Sequence, residues 1–122
     1  MLTQLRFTKT RSMKSMNKVQ LIGYLGKDPE FLTLKDGSQM AKIRMATNTW
    51  IPQKEGEPKK LTDWHDIIMS GKEKIERLKN YLLKGSHVLV EGRVVYRTYE
   101  DKIGHTRYVT EIRANYLVDL DR

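Results

Sequence analysis

Arg93, Arg97 and Tyr99 form the most chemically pointed cluster in this chain. Residues of one parity share a face of a strand. The even set around them, Val88, Val90, Val94 and Tyr96, suits a core. The odd face would then turn two guanidiniums and a ring to solvent. Guanidiniums pair with phosphates, and a ring offers a stacking surface to any base, so such a face fits a groove for single-stranded nucleic acid. The same pattern also describes an ordinary solvated sheet face with a partly buried tyrosine.

Trp50 and Trp64 are the only two tryptophans. Trp50 borders Ile51 to Lys60, which contains Pro52, Gly56 and Pro58 with mixed charges and reads as a loop or mobile hairpin. Trp64 shares parity with Asp66 and Ile68, opposite His65, Ile67 and Met69. Either ring can serve packing or base stacking. Phosphate contacts would come from Lys42, Arg44, Lys54, Lys59, Lys60, Arg93, Arg97 and Lys102.

No catalytic constellation emerges. His65, His87 and His105 are dispersed, without metal-ligand spacing. Asp63 and Asp66 flank Trp64 and are the candidates for a metal-dependent nuclease; a solvated strand end explains them more simply. Gly71-Lys72 lacks the upstream Gly of a phosphate loop and the Ser or Thr after Lys. With no cysteine, a disulfide scaffold, a thiol nucleophile and thiolate zinc ligands are excluded. No metal, cofactor or catalytic residue is expected.

The 122 residues fit one domain with a modest core. No apolar run approaches the roughly 18 residues that span a membrane. The net charge is +8, and half of it sits in residues 1–15, where Arg6, Lys9, Arg11 and Lys14 meet no acidic residue. The remainder is moderately basic, which favours a polyanionic partner without specifying one. Met1 to Ser15 has no helical or strand period and reads as a flexible basic leader, a mis-called start or a transit peptide. The domain is expected over residues 16–122.

The elements that must position these side chains follow in order. Val19, Leu21, Gly23 and Leu25 share one parity of a first strand, which Gly26 and Asp28-Pro29 end. A second strand runs near Gln39 to Asn48 and a third over Leu61 to Met69. Ile75, Leu78 and Leu82 form the apolar stripe of a helix over Lys72 to Leu83, stopped by Gly85. His87 to Tyr99 is a fourth strand, Glu100 to Gly104 a turn, and Arg107 to Val118 a fifth strand. Three strands, one helix and two strands is the order of an OB-fold, a five-stranded Greek-key barrel with the helix between strands 3 and 4. Repeated strand–helix alternation, the mark of a doubly wound parallel sheet, is absent.

Several motifs carry a resemblance in matching order over about Asn17 to Leu117. They are Asn17-Lys18-Val19, Gly23-Tyr24-Leu25-Gly26-Lys27-Asp28-Pro29-Glu30, Thr62-Asp63-Trp64-His65, Gly71-Lys72, Tyr81-Leu82-Leu83-Lys84-Gly85-Ser86-His87-Val88, Glu91-Gly92-Arg93 and Arg107-Tyr108-Val109-Thr110-Glu111. The chain resembles the bacterial-type single-stranded DNA-binding proteins (SSB). The resemblance implies a non-catalytic, sequence-independent binder of single-stranded DNA in replication, recombination and repair. It implies a homotetramer around which DNA wraps, with base stacking on Trp50, Trp64 and Tyr99 and His65 near the subunit interface. Ser70 replaces a further stacking Phe, and Asp66 stands where a basic residue is common. The acidic C-terminal tip that recruits replication and repair proteins in typical members is absent, since the sequence stops at Asp119-Leu120-Asp121-Arg122. A cytoplasmic protein of the nucleoid is expected, with a mitochondrial one as the alternative, because mitochondrial members also lack the tip. A primosome-type OB-fold module acting through protein partners is the other functional reading.

Overall fold

Gly23 and Leu25 are the buried residues of a first strand whose remaining positions alternate toward solvent. The computed structural model describes residues 14–121, which form β1 (Val19–Leu25), β2 (Glu30–Thr33), β3 (Gln39–Ile51), β4 (Lys59–Ser70), α1 (Lys72–Lys79), β5 (His87–Glu100) and β6 (Thr106–Asp119). The leader expected over Met1 to Ser15 lies, except for Lys14 and Ser15, outside the described residues.

β1 pairs antiparallel with both β5 and β3. β5 pairs with β6, β6 runs parallel to β4, and β4 returns to β3. These five strands close on themselves, and the short β2 adds to β3 outside the ring. The closed barrel with one helix between β4 and β5 is the OB-fold expected from the element order. Closure forces close approaches: a Cβ at Gly23 would overlap the carbonyl of Ala46, and one at Gly92 the carbonyl of Arg113. Glycine is required at both by the neighbouring backbone.

The core gathers Ala41, Ile43 and Met45 from β3, Ile67 and Met69 from β4, Val88 and Val90 from β5, and Ile112 and Leu117 from β6. α1 lies against β3 and β4 and adds Ile75 and Leu78. Each fully buried aliphatic side chain of this kind contributes about 1.5–3 kcal/mol.

The structure departs from the expected elements in four places. β3 and β4 extend past the barrel as a hairpin arm, through Asn48↔Thr62, Thr49↔Leu61, Trp50↔Lys60 and Ile51↔Lys59. Both faces of the arm are exposed, so no apolar alternation marks it. The loop shrinks to residues 52–58. α1 stops at Lys79, although Leu82 still donates its N–H to Leu78 O and stays buried in the core. β2 has no counterpart among the expected elements; four residues carry too little period to read.

Tyr96, expected in the core, is 77% exposed. It lies opposite Thr110, two pairs beyond Val94↔Ile112, where β5 and β6 leave the barrel as a two-stranded ribbon. The core-facing parity continues there without a core to face. Asn17 braces the start of this ribbon, donating from Nδ2 to Val94 O and accepting from Val94 N–H at Oδ1.

Candidate nucleic-acid interface

The β3–β4 register sorts the side chains of the arm. Lys42, Arg44, Ala46, Asn48 and Trp50 face the same way as their partners Ile68, Asp66, Trp64, Thr62 and Lys60. One face therefore carries both tryptophans and three of the expected cations. Trp50 and Trp64 are 61% and 49% exposed, a large apolar area left uncovered.

Each ring has a cation beside it. The Arg44 guanidinium lies 5.2 Å from the Trp64 ring centre, and Lys60 Nζ lies 5.9 Å from that of Trp50. Arg44 also donates from Nη1 to Asp66 Oδ1 at 2.9 Å. Between the two rings, Thr62 Oγ1 donates to Asn48 Oδ1 at 2.7 Å and ties the strands together. The Trp64 ring rests on Gly26, where a Cβ would overlap it, and Gly26 N–H bonds Arg44 O. The glycine that ends β1 is thus the seat of the ring.

β5 and β6 supply a second wall. Arg97 donates from Nε to Glu111 Oε1 at 2.9 Å and from Nη2 to Oε2 at 3.4 Å. Glu111 is only 4% exposed, and a buried carboxylate requires such a partner. Its hydrogen bond, then its charge, hold the Arg97 pKa above the ordinary guanidinium value. The Arg97 guanidinium sits 5.9 Å from the ring of Tyr99, itself half exposed. Trp64 and Tyr99 share one plan: an arginine beside the ring, and a carboxylate gripping the arginine. Lys42, Arg44, Asp66, Arg97 and Glu111 line one groove of about 240 Å³ that joins the two walls.

The turn after Tyr99 is held by Asp101. Its Oδ1 accepts from the N–H groups of Ile103 and His105, and its Oδ2 from Arg107 Nε at 2.8 Å. The His105 N–H is the largest cause holding its carboxyl below the ordinary value.

The other expected residues are more scattered. Lys54 lies in the loop at the tip of the arm, and Lys102 in the β5–β6 turn. Lys59 has the opposite parity to Lys60 and faces away from Trp50. Arg93 stands opposite Arg113 and lines a different groove, with Lys18 and Asn115. His65 is partly buried on the inner face, with Nε2 2.9 Å from Thr47 Oγ1. Asp63 and Asp66 have opposite parities, and Asp66 is taken by Arg44, so the paired carboxylates of the nuclease alternative do not converge. Among the described residues, no three potential metal ligands cluster.

Sequence reasoning missed Glu111 and Gly26, which hold Arg97 and seat the Trp64 ring. Glu111 meets Arg97 diagonally across the ladder, opposite Val95, and only the register reveals it. Gly26 read as a strand breaker, with nothing local to tie it to a ring 38 positions later.

A profile of the "Single-strand binding protein family" matches residues 16–120. Among solved structures, this chain is similar to a Plasmodium falciparum SSB in complex with ssDNA. The two are 33% identical with a TM-score of 0.79, over 88% of this chain and 97% of that one. It is also similar to a deletion mutant of the Thermus aquaticus single-stranded DNA binding protein, at 25% identity and a TM-score of 0.73. That match covers 86% of this chain and 50% of the other.

Proposed function

The chain belongs to the single-strand binding protein family, and on that premise we propose that it binds single-stranded DNA with little sequence preference. The observation that carries this is the pair of half-open tryptophans on one face of the β3–β4 arm, each with a cation beside it. Bases stack on Trp50, Trp64 and Tyr99. Every base has a π-face, so stacking selects for the unpaired strand and hardly for its sequence. Lys42, Arg44, Lys60 and Arg97 meet phosphates along the groove, with Lys54 and Lys102 reaching from the two hairpin tips. Asp66 and Glu111 compete with phosphates for Arg44 and Arg97, which moderates affinity.

No step of bond making is involved. Because only the unpaired form binds, the protein melts hairpins and protects exposed strands by mass action. The role follows as the shielding of single strands in replication, recombination and repair, by a homotetramer with His65 near the subunit contact. Among the described residues no helix is long and apolar enough to cross a membrane. The nucleoid of the cytoplasm is the proposed place of action.

Titration with oligo-dT, followed by tryptophan fluorescence, tests the reading. The protein should bind oligo-dT far more tightly than duplex of equal length, and affinity should fall as salt rises through counterion release. Equal affinity for the two forms, or a flat salt response, would overturn it.

A further inference from the structure

The described arginines divide into two groups. Arg44, Arg97 and Arg107 each grip a carboxylate. Arg77, Arg93 and Arg113 are exposed, and their side chains hold no ion pair or hydrogen bond among the described residues. Arg93 and Arg113 also stand directly opposite one another across the β5–β6 ladder. Like charges in that position destabilise a strand pair. The carboxylate that lines the same groove, Glu91, is paired with Lys18 at 2.7 Å and makes no ion pair with either arginine.

The unpaired arginines lie along connected grooves. Arg93 and Arg113 line one of about 480 Å³, together with Asn115. Asn115 is the extra residue of a β-bulge, where Glu91 pairs with Tyr116 but Gly92 with Ala114. It also lines the neighbouring groove of about 440 Å³ between α1 and β6, where Arg77 and Lys74 are found and Asp119 is the carboxylate. Lys74 Nζ donates to Asn115 O at 3.2 Å across this junction. The first groove continues the aromatic face: Arg93 lies four residues along β5 from Arg97, roughly 13 Å in an extended strand.

We infer that Arg93, Arg113 and Arg77 form a second phosphate track, which carries the single strand past the aromatic groove, over the β6 bulge and onto α1. The ligand is the sugar–phosphate backbone, held by charge alone. This rests on the reading of the chain as a single-stranded DNA binder. It explains why two arginines are opposed without a counterion of their own among the described residues: a phosphate between them turns repulsion into shared attraction.

The test compares the unaltered chain with R77Q/R113Q on two oligo-dT lengths, about 4 and about 16 nucleotides, the ends of the OB-fold site-size range. The longer strand should lose affinity several-fold at low salt. Its slope of log affinity against log salt should shrink by about 1.4, at 0.7 per phosphate released. The short strand should bind as before. The melting temperature should hold or rise, because R113Q relieves the opposition to Arg93. N115K should steepen the long-strand slope. Equal losses at both lengths, no loss at either, or a change of sedimenting mass in R77Q/R113Q would each overturn the track. Failure of the unaltered chain to bind either oligonucleotide would instead sink the parent reading.

Discussion

At the scale of single residues, the proposed site leaves its rings uncovered. Trp64 is half exposed although it sits on a strand of the barrel, because it lies on the outer face and its ring rests on Gly26 rather than in the core. Removing it should cost binding more than folding. Trp64→Ala and Tyr99→Ala should each weaken oligo-dT binding by about 1–3 kcal/mol, the range for one stacked base. Their melting temperatures should stay near that of the unaltered protein. Unchanged affinity with a lowered melting point would reassign either ring to packing. Gly26→Ala tests the seat: an added methyl must push the Trp64 ring aside, so it should reproduce much of the Trp64→Ala loss while keeping the indole.

At the scale of elements, the two hairpins present the rings, and aspartates hold two of the turns. Asp101 gathers the N–H groups of Ile103 and His105 and the Arg107 side chain; Asp36 accepts from the N–H and hydroxyl of Ser38 in the β2–β3 turn. Both carboxyls are held below their ordinary pKa, Asp36 chiefly by the Ser38 hydroxyl and Asp101 chiefly by the His105 N–H. A carboxyl depressed in the folded state stabilises it fully above the unfolded-state pKa. That contribution is lost as pH falls through the lower folded value. Acidification below the ordinary carboxylate range should therefore loosen the β5–β6 turn. Faster amide exchange near Ile103 and His105 at acid pH would register it. Asp101→Asn should show the fast exchange already at neutral pH, with little further change on acidification. Equal exchange in both proteins at neutral pH would dismiss Asp101 as the clamp.

At the scale of the whole molecule, the closed barrel marks the part of the chain that should assemble by itself. All six described strands and α1 lie within residues 19–119, and the family match begins at residue 16. A chain starting at Met16 should therefore keep the subunit number of the full protein and bind oligo-dT. It lacks the four positive charges of Arg6, Lys9, Arg11 and Lys14. Its affinity should drop modestly, more at low salt than at high, as screening dictates. Sedimentation with fewer subunits than the full protein would assign the leader a structural role.

What the sequence determined by itself was whatever local period encodes. The parity of Val19 to Leu25, the stripe Ile75–Leu78–Leu82 and the Gly and Pro breaks were enough for the element order, and that order for the OB-fold. They also put Trp64 and Asp66 on one face, because parity survives as long as a strand does. Where a strand outlives its core, period loses meaning: Tyr96 kept the core parity and still emerged into solvent. Partners distant in the chain were settled only by closure and register. The grip of Glu111 on Arg97, the rest of Trp64 on Gly26 and the opposition of Arg93 to Arg113 each join residues at least 14 positions apart in the chain. A one-residue slip would exchange the faces and undo all three, so no local pattern could contain them.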